Sequence, residues 1–395
     1  MIELHGKYNK AKVFTDNIES TAQRQIIELC SQEFSLGSNI RIMPDTHAGA
    51  GCTIGTTMTV SDKVVPNLVG VDIGCGMLVV KLLQKEIDFS QLDEVIRKYI
   101  PSGFSVREKE HSLAKSINID KLRCIKHIKL DRVPLSVGTL GGGNHFIEIN
   151  RDSSNSLYLV IHSGSRNLGK QVAEYYQDVA FKSLLSKHKD TSGIIKKLKS
   201  DGKHSEIEST IKKLAIGKTD KALAYLEGTN FNDYIHDMKI VQNFATLNRK
   251  AMADEVLRNM SLSEVSSFTT IHNYIDTDNM ILRKGAISAK LDEVVLIPIN
   301  MRDGSLLCKG RGMQDWNYSA PHGAGRIMSR SQAKKLVSLN EYKESMTDVW
   351  TTSVNEHTLD ESPMVYKPIE EILENIKESV DMLDILKPLY NFKAN

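Results

Sequence analysis

The stretch VDIGCGM at residues 71–77 constrains this chain more than any other, because it places two metal-binding residue types three positions apart. Gly74 and Gly76 permit backbone angles that a Cβ would disfavour, so Asp72 and Cys75 can turn towards one point. A carboxylate and a thiolate that converge suit a borderline divalent ion such as Mn²⁺, Fe²⁺ or Zn²⁺. The alternative interpretation is a glycine-rich turn around a buried, inert cysteine.

Three histidines further along the chain are predicted to lie at strand ends, where side chains from different strands can meet. His145 precedes one strand, and His162 and His272 each follow one. These strands are predicted at 146–149, 157–161 and 268–271. Functional groups are commonly placed just beyond strand ends, so these imidazoles are candidate metal ligands. Taken singly, each is more readily explained as a hydrogen-bonded structural histidine.

Two further segments carry groups that suit phosphate chemistry. The glycine run at 141–143, ahead of Asn144, exposes backbone N–H groups that can cradle a phosphate. Pro44 is predicted to end the buried strand 40–43 and to deliver Asp45 to a loop. On its own, the spacing of Asp45 and the following histidine indicates a turn.

A fourth histidine, His322, lies in the segment PHGAGRIMSR, where two glycines and two arginines follow it within eight residues. The glycines leave the imidazole uncrowded, and a helix predicted at 331–339 would present its N-terminus to anions. A histidine held open beside a phosphate is placed to attack phosphorus. The alternative is a basic loop without chemistry.

The order of predicted strands and helices indicates an α+β fold, in which helices surround a β-sheet core and the metal site lies at strand ends. Since no repeat or linker is visible, we expect one catalytic domain over residues 1–395. Residues 181–228 are predicted to form a lysine-rich helical-hairpin insertion. Its lysines either contact a phosphate backbone or, as the simpler interpretation, form a solvated face. The lysine pairs concerned are Lys196, Lys197, Lys212 and Lys213.

Two predictions concern the second half of the chain. A long amphipathic helix is predicted at 230–258, with Gln242, Asn248 and Arg249 on its polar face. These side chains could face the site, although solvent is the default. The end of the chain is predicted as a helix to about residue 383, followed by a short tail that contains Lys393.

Charge and cysteine usage narrow the class of protein. Lys and Arg total 51 against 49 Asp and Glu, so any nucleic-acid surface must be a local patch. The five cysteines are scattered, which argues against a disulfide framework and for a reducing compartment. No apolar run approaches the ~18 residues of a membrane span, and no secretory leader is visible. We therefore expect a cytoplasmic enzyme with no membrane contact.

Taken together and in this order, the motifs VDIGCGM, GTLGGGNHFIEI, HSGSRNLG, IHNYI and PHGAGRIMSRSQAK resemble the RtcB family of RNA-splicing ligases. The resemblance extends from GKYNKAKVFTDNIE near the start to DESPMVYK near the finish. It implies joining of an RNA 3′-phosphate or 2′,3′-cyclic phosphate end to a 5′-hydroxyl end, in tRNA splicing or RNA repair. It also implies GTP and two Mn²⁺ ions as cofactors and RNA as the partner. We expect a monomer, and the need for an activating protein stays open.

The resemblance also implies a role for individual residues, position by position. The residues matching the family's metal ligands are Asp72, Cys75, His145, His162 and His272, with Cys75 able to bridge two ions. His322 matches the histidine that becomes guanylylated, Asp45 matches the acid that orients it, and Arg166 matches an RNA-phosphate contact. The residues matching nucleotide contacts are Asn144, Glu148, Ser305, His322, Ala324, Gly325, Tyr366 and Lys393.

The chain departs from the family pattern at two places. The segment 297–301 reads IPINM where the family usually reads IPGSM, and Lys393 is followed by Ala394 where the family commonly ends in Lys-Gly. Both departures affect predicted nucleotide contacts. Two other functions stay open: a dinuclear metal phosphoesterase that only hydrolyses RNA ends, and a non-catalytic RNA-binding relative.

Overall fold

The computed structural model of this chain describes residues 1–189, 191–207 and 220–394. Two large β-sheets carry helices on their faces, which confirms the predicted α+β fold with a sheet core surrounded by helices. The α-helices in the described residues are α1 (Ser20–Cys30), α2 (Phe89–Tyr99), α3 (Arg166–Lys189), α4 (Thr191–Ser200), α5 (Gly228–Asn259), α6 (Arg330–Leu336), α7 (Leu339–Ser345) and α8 (Ile369–Ile376).

The strands follow one another along the chain with helices between them. In the described residues they are β1 (Ile2–His5), β2 (Lys10–Val13), β3 (Ile40–His47), β4 (Ile54–Thr59), β5 (Lys63–Val64), β6 (Gly76–Leu82), β7 (Phe146–Arg151), β8 (Leu157–Ser163), β9 (Leu226–Glu227), β10 (Glu264–Ile271), β11 (Asn273–Asp276), β12 (Ile281–Lys284), β13 (Ala286–Ser288), β14 (Val294–Asn300), β15 (Gly304–Gly310), β16 (Ser319–Pro321) and β17 (Val380–Lys393).

The first sheet has the strand order β1-β2-β3-β4-β12-β11, in which β2 and β3 are parallel. The second has the order β10-β6-β8-β7-β17-β15-β14 and is antiparallel throughout. The two edge strands of this second sheet, β10 and β14, lie close to each other. The N–H of Leu296 on β14 donates to Oγ1 of Thr270 on β10 at 3.4 Å. The second sheet therefore curls back on itself.

Alternation along the strands gives the second sheet two apolar faces. Val80 and Leu82 point to the side covered by helices, while Met77 and Val79 point to the inside of the curl. Inside the curl, side chains from opposite ends of the sheet meet, including Leu296 of β14. A strand buried on both faces reads as an almost continuous apolar run, which is how β6 appears in the sequence.

The helix α5 connects the cores of the two sheets. Val241 and Phe244 in its middle pack in the cluster that includes Ile42 of the first sheet. Met252 and Val256, nearer its C-terminal end, pack in the cluster on the second sheet. A single helix of 32 residues thus lies against both sheets.

The predicted end of β3 is wrong. β3 continues through Pro44 to His47 and does not stop at residue 43. The pairing with β4 shifts between Ile42 and His47, so the missing N–H of Pro44 leaves no ladder hydrogen bond unmade. Asp45 consequently lies in a strand of the first sheet and not in a loop.

The predicted C-terminal helix and tail are also wrong. The helix α8 ends at Ile376, and residues 380–393 form β17, which lies between β7 and β15 in the second sheet. Leu386, Tyr390 and Phe392 alternate with more polar positions, and Pro388 within the run disfavours a helix. The alternation is the signal for a strand, and Pro388 is tolerated because the pairing with β7 shifts between Pro388 and Tyr390.

The predicted insertion is helical where the structure describes it. α4 exposes Lys196 and Lys197 and half-buries Ile195 and Leu198, as expected for an amphipathic helix. The second pair of lysines, at 212 and 213, lies outside the described residues, and the hairpin stays a prediction. Among the helices that the structure describes, none is long and apolar enough to cross a membrane.

Candidate active site

The loop ahead of β6 brings Asp72 and Cys75 to one edge of the second sheet. Gly74 has a φ of +73°, and a Cβ there would lie 3.0 Å from the Cα of Gln242 on α5. Gly76 is needed for a different reason, because a Cβ would lie 2.2 Å from the carbonyl oxygen of Thr270 on the neighbouring strand. One glycine therefore supplies an unusual backbone angle and the other a close approach between strands.

Antiparallel pairing brings the three histidines to the same edge. His145 directly precedes β7, His162 is the second-last residue of β8, and His272 follows β10. Met77, near the start of β6, pairs with His162, and His162 pairs with Phe146 on its other side. Since neighbouring antiparallel strands run in opposite directions, the starts of β6 and β7 and the ends of β8 and β10 coincide.

The five side chains form two groups that share one sulfur atom. Asp72, Cys75 and His145 form the first group, and Cys75, His162 and His272 form the second; within each group the ligand atoms lie within 4.8 Å of one another. Sγ of Cys75 is 3.5 Å from Nε2 of His145 and 3.3 Å from Nε2 of His162. Nε2 of His145 is 3.1 Å from Oδ2 of Asp72, and Nε2 of His162 is 3.4 Å from Nε2 of His272.

The hydrogen bonds of the imidazole Nδ1 atoms leave the Nε2 atoms of His145 and His162 free to bind a cation. Nδ1 of His145 donates to the carbonyl of Leu140 at 2.8 Å, and Nδ1 of His162 donates to the carbonyl of Asn144 at 3.1 Å. With Nδ1 protonated, the Nε2 lone pair of His145 faces Cys75 and Asp72, and that of His162 faces Cys75 and Nε2 of His272. These lone pairs repel unless a proton or a metal ion lies between them, and carboxylate, thiolate and imidazole together suit a borderline divalent metal.

The pKa values of these groups have the same implication. Burial holds the pKa of His162 and of His272 well below the ordinary value, so both are neutral imidazoles, the form that binds metal. Burial and the charge of Asp72 raise the pKa of the Cys75 thiol, which needs a nearby cation to ionise. Burial disfavours ionised Asp72, but a proton on Nε2 of His145 and the hydrogen bond from the N–H of Ser165 outweigh it and lower the pKa to about 2.

The polar face of α5 supports the site and does not face solvent. The amide of Asn248 accepts from the N–H groups of Gly138 and Thr139 at 2.8 and 3.0 Å, and donates to Gly164 at 3.1 Å. The guanidinium of Arg249 donates to the carbonyl of Gly74 at 2.8 Å. Both side chains are buried, so α5 holds together the loops that carry the candidate metal ligands.

His322 lies after β16 and is held by a carboxylate from the first sheet. Its Nδ1 donates to Oδ2 of Asp45 at 2.6 Å, and its backbone N–H donates to the same oxygen at 3.1 Å. A Cβ on Gly325 would lie 2.4 Å from the carbonyl oxygen of Asp45, so this glycine allows the His322 loop to approach β3. With Nδ1 committed to Asp45, the lone pair of His322 is on Nε2.

One pocket adjoins both His322 and the candidate metal ligands. The rings of His272 and His322 have centroids 4.9 Å apart, and His162 lines the pocket. All residues predicted to contact a nucleotide line it as well: Asn144, Glu148, Ser305, His322, Ala324, Gly325, Tyr366 and Lys393. Phe146 and His47 also line it, and the sequence interpretation assigned them no role.

Glu361 is the central charge of this pocket, and the sequence interpretation missed it. Its carboxylate accepts from Nζ of Lys393 at 2.9 Å and from the hydroxyl of Tyr366 at 2.8 Å, and it pairs with Arg330 at 2.7 Å. Burial would raise the pKa of Glu361, but the charges of Lys393 and Arg330 lower it below the usual value. Glu361 belongs to the motif DESPMVYK, from which only the tyrosine was assigned.

Two polar groups in the pocket are poorly matched by the protein itself. Glu148 accepts from Asn391 at 2.6 Å and from Asn150 at 3.2 Å, yet burial outweighs these bonds and raises its pKa to about 7. The hydroxyl oxygen of Ser305 is buried and has no hydrogen-bond partner among the described residues. An unpartnered buried hydroxyl in a pocket is expected where a ligand supplies the missing bond.

The arginines and the departures from the family pattern all lie at the pocket wall. Arg326 and Arg330 do line it, but Arg326 donates to the carbonyl of Asp360 at 2.7 Å and Arg330 to its carboxylate at 2.6 Å. Asn300, at the first departure, lines the pocket while its amide donates to Asp303 at 2.7 Å. At the second departure, where Ala394 follows Lys393, the Lys393 side chain still lines the pocket.

Arg166 lies outside this pocket. It starts α3 with a φ of +57°, and its guanidinium donates to Oγ1 of Thr139 at 3.1 Å and to the carbonyl of Gly103 at 2.6 Å. It lines a second cleft, which shares Arg330 and Glu361 with the pocket. The two cavities therefore adjoin each other at Arg330 and Glu361.

Comparison with known proteins gives the same family along nearly the whole chain. A family model described as tRNA-splicing ligase RtcB matches residues 30–394. The chain is 30% identical to the RNA-splicing ligase RtcB of Escherichia coli (strain K12) over 416 aligned positions, which cover 95% of each chain. It is 26% identical to the tRNA-splicing ligase RtcB of Methanococcus maripaludis, over 94% of this chain and 91% of that one. On these similarities, the chain belongs to the RtcB family of RNA-splicing ligases.

Proposed function

We propose that this protein is an RNA ligase that joins RNA 3′-phosphate or 2′,3′-cyclic phosphate ends to 5′-hydroxyl ends, through a histidine–GMP intermediate. The observation that carries the proposal is the pair formed by Asp45 and His322, since it holds one imidazole between the pocket and the candidate metal ligands. Relatives named RNA-splicing ligase and tRNA-splicing ligase support RNA as the substrate. The free thiols of all five cysteines support a reducing compartment, and we place the activity in the cytoplasm.

Two Mn²⁺ ions fit the donor set. Asp72, Cys75 and His145 would hold one ion, and Cys75, His162 and His272 would hold the other. Bound there, the ions would neutralise phosphate charge and favour attack at phosphorus. Imidazole and thiolate ligands exclude Mg²⁺ and Ca²⁺ as the natural occupants, because those ions prefer oxygen ligands.

The first chemical step would use GTP bound in the pocket. Nε2 of His322 attacks the α-phosphorus, a P–N bond forms, and the bond from that phosphorus to the β-phosphate oxygen breaks. Pyrophosphate leaves with the electron pair. Nδ1 keeps its proton, and Asp45 stabilises the positive charge that develops on the imidazole. Glu148, Ser305, Tyr366 and Lys393 are placed to bind the nucleotide.

The second and third steps would transfer this GMP. An oxygen of the RNA 3′-phosphate displaces His322 from phosphorus, which leaves the RNA end activated as a diphosphate to guanosine. The 5′-hydroxyl of the other RNA then attacks the RNA phosphorus, a phosphodiester forms, and GMP leaves with the electron pair. A 2′,3′-cyclic phosphate would first be opened by water to expose the 3′-phosphate.

The test is covalent labelling with GTP that is radioactive at its α-phosphate, in the presence of Mn²⁺, followed by a denaturing gel. We expect an acid-labile, hydroxylamine-sensitive GMP adduct on His322, because a P–N bond has those sensitivities. His322→Ala should lose the adduct, retain bound metal and still join an RNA whose 3′ end was guanylylated beforehand. His127→Ala is the matched control, since His127 is exposed and stacks on Tyr175.

Three outcomes would contradict the proposal. An adduct that persists in His322→Ala, or that maps to a lysine, would overturn the assignment of the nucleophile. Hydrolysis of RNA ends without any adduct would favour the dinuclear phosphoesterase. RNA binding without any turnover would favour a non-catalytic relative.

A further inference from the structure

The cleft that continues the pocket past Arg330 is strongly basic. Its lining has five basic side chains and two carboxylates: Arg132, Arg166, Lys170, Arg330, Lys334, Asp360 and Glu361. The carboxylates are already paired with Arg330 and Lys334. Arg132 and Arg166 donate only to uncharged groups, and the exposed ion pair of Lys170 with Glu174 is long, at 3.8 Å. The positive charge of these three side chains is therefore available to an anion such as a phosphate backbone.

A loop at residues 102–106 forms one wall of this cleft, and its side chain at the tip is Phe104. The ring is 98% exposed, although the cleft beside it is polar. The same loop also borders a third cleft, whose charged lining residues are Arg97, Lys98, Arg107, Glu108 and Lys109. Arg97 and Arg107 there are paired with Asp93 and Glu255, so the free positive charge lies mainly in the cleft that Phe104 itself lines.

Three hydrogen bonds fix the backbone around the exposed ring. The N–H of Gly103 donates to the carbonyl of Gly141 at 2.8 Å, and Arg166 donates to the carbonyl of Gly103 at 2.6 Å. Arg132 donates to the carbonyl of Phe104 at 2.8 Å. Two of the cleft's arginines therefore hold the loop in place, and the ring is presented to solvent by a supported backbone.

We propose that Phe104 is a stacking platform for one base of single-stranded RNA, whose backbone follows the cleft towards His322. This inference rests on the proposed function and adds a contact that sets how the RNA strand enters. Aromatic rings beside basic grooves bind single strands in this way, because every base has a face that can stack and every nucleotide carries a phosphate. Lys170 lines the same cleft and is placed to contact a backbone phosphate, while Arg132 and Arg166 hold the loop that carries the ring.

The experiment uses short single-stranded RNAs, each with one 2-aminopurine, whose fluorescence falls when the base stacks. One set ends in a 3′-phosphate and the other begins with a 5′-hydroxyl, and the probe is moved through the five nucleotides next to that end. Binding is measured without GTP, so that no joining occurs. Quenching at one position on either strand supports the proposal and identifies the strand.

Variants separate stacking from other effects. Phe104→Ala should abolish the quenching and weaken binding about tenfold, whereas Phe104→Tyr should restore both because it keeps the ring. Lys170→Gln should lower the slope of log affinity against log salt by about 0.7 for each backbone phosphate that the side chain no longer neutralises. Leu291→Ala is the control, since Leu291 is also an exposed apolar residue but lines neither cleft.

Unchanged quenching and affinity in Phe104→Ala, or no quenching at any position on either strand, would overturn the stacking platform. The proposed function is tested separately by GTP labelling of the wild-type chain without RNA. If GTP labelling is absent but the quenching still depends on Phe104, the ligase mechanism is contradicted and the stacking platform is not. Normal labelling with no such quenching would defeat only the platform.

Discussion

At the scale of single residues, Cys75 differs from the other candidate ligands because its sulfur belongs to both metal groups. Removing any histidine would leave one complete group, whereas removing this thiol leaves neither.

We therefore predict that Cys75→Ala loses both bound Mn²⁺ ions together with all ligation, measured by metal analysis after gel filtration and by an RNA-joining assay. Cys308→Ala is the matched control, because Cys308 is a buried thiol on β15 away from the site. Two ions per chain and normal joining in Cys75→Ala would show that Cys75 is not the shared ligand.

Glu148 gives a prediction about pH. Its folded pKa of about 7 lies above the ordinary 4.5, so between these values the folded state keeps a proton that the unfolded state has released. The free energy of unfolding should therefore fall as pH rises through this window, by about 3 kcal/mol in total. Glu148→Gln removes the titration, so its stability relative to wild type should rise over pH 4.5 to 7 and then level off.

The measurement is urea unfolding of both proteins without nucleotide at a series of pH values. The variant can keep its contacts, because Asn150 has an unpartnered Oδ1 that accepts a hydrogen bond from glutamine once the amide is turned. Glu370→Gln, at an exposed glutamate, is the control. A difference in stability that is independent of pH would show that Glu148 is already ionised in the folded protein.

The residue scale is also where sequence reasoning was strongest. Asp72, Cys75 and the three histidines could be predicted because metal-binding residue types beside glycines and strand ends carry a local signal. Glu361 carries no such signal, since its importance comes from contacts with Lys393 and Arg330 that only the fold creates.

At the scale of elements, α5 has the largest structural role. Asn248 uses both its carbonyl and its amide group on backbone atoms of two separate loops, at residues 138–139 and 164. These loops lead to His145 and follow His162. A buried amide with this many partners specifies one arrangement of the loops.

We predict that Asn248→Ala lowers the free energy of unfolding by about 3 kcal/mol or more, because several buried backbone groups lose their partner. Mn²⁺ affinity should fall at least about tenfold, as it does when the support of a ligand is removed. Urea unfolding and metal titration provide the two measurements. Asn243→Ala, at an exposed position of the same helix, should change neither.

The default expectation for this face of α5 was solvent, and it failed for a physical reason. An amide-rich helical face looks the same in sequence whether its partners are water or distant backbone groups. The partners of Asn248 lie more than 80 residues away along the chain, so only the tertiary structure reveals them. The end of β3 was misjudged similarly, because a proline ends a strand only where its N–H would have been needed.

At the scale of the whole molecule, the site is assembled from both sheets. Asp45 lies in β3 of the first sheet, while His145 and His162 lie at the edge of the second. The helix α5 packs on both cores. The two sheets are therefore expected to unfold as one unit and not as separate domains.

The two tryptophans provide the test. Trp316 stacks on Phe14 beside the first sheet, with centroids 3.6 Å apart, and Trp350 stacks on Tyr390 of β17, at 5.4 Å. We predict that Trp316→Phe and Trp350→Phe each show one urea transition, at the same midpoint by the remaining tryptophan's fluorescence and by far-UV circular dichroism. Separate midpoints for fluorescence and dichroism would indicate two domains.

The position of β17 has a consequence for the synthesis of the protein. This strand lies between β7 and β15, both of which the ribosome makes well before it. Until residue 393 has left the exit tunnel, the second sheet has a gap in its middle and the pocket lacks Lys393. A nascent chain therefore cannot bind a nucleotide in the complete pocket while this strand is still inside the ribosome.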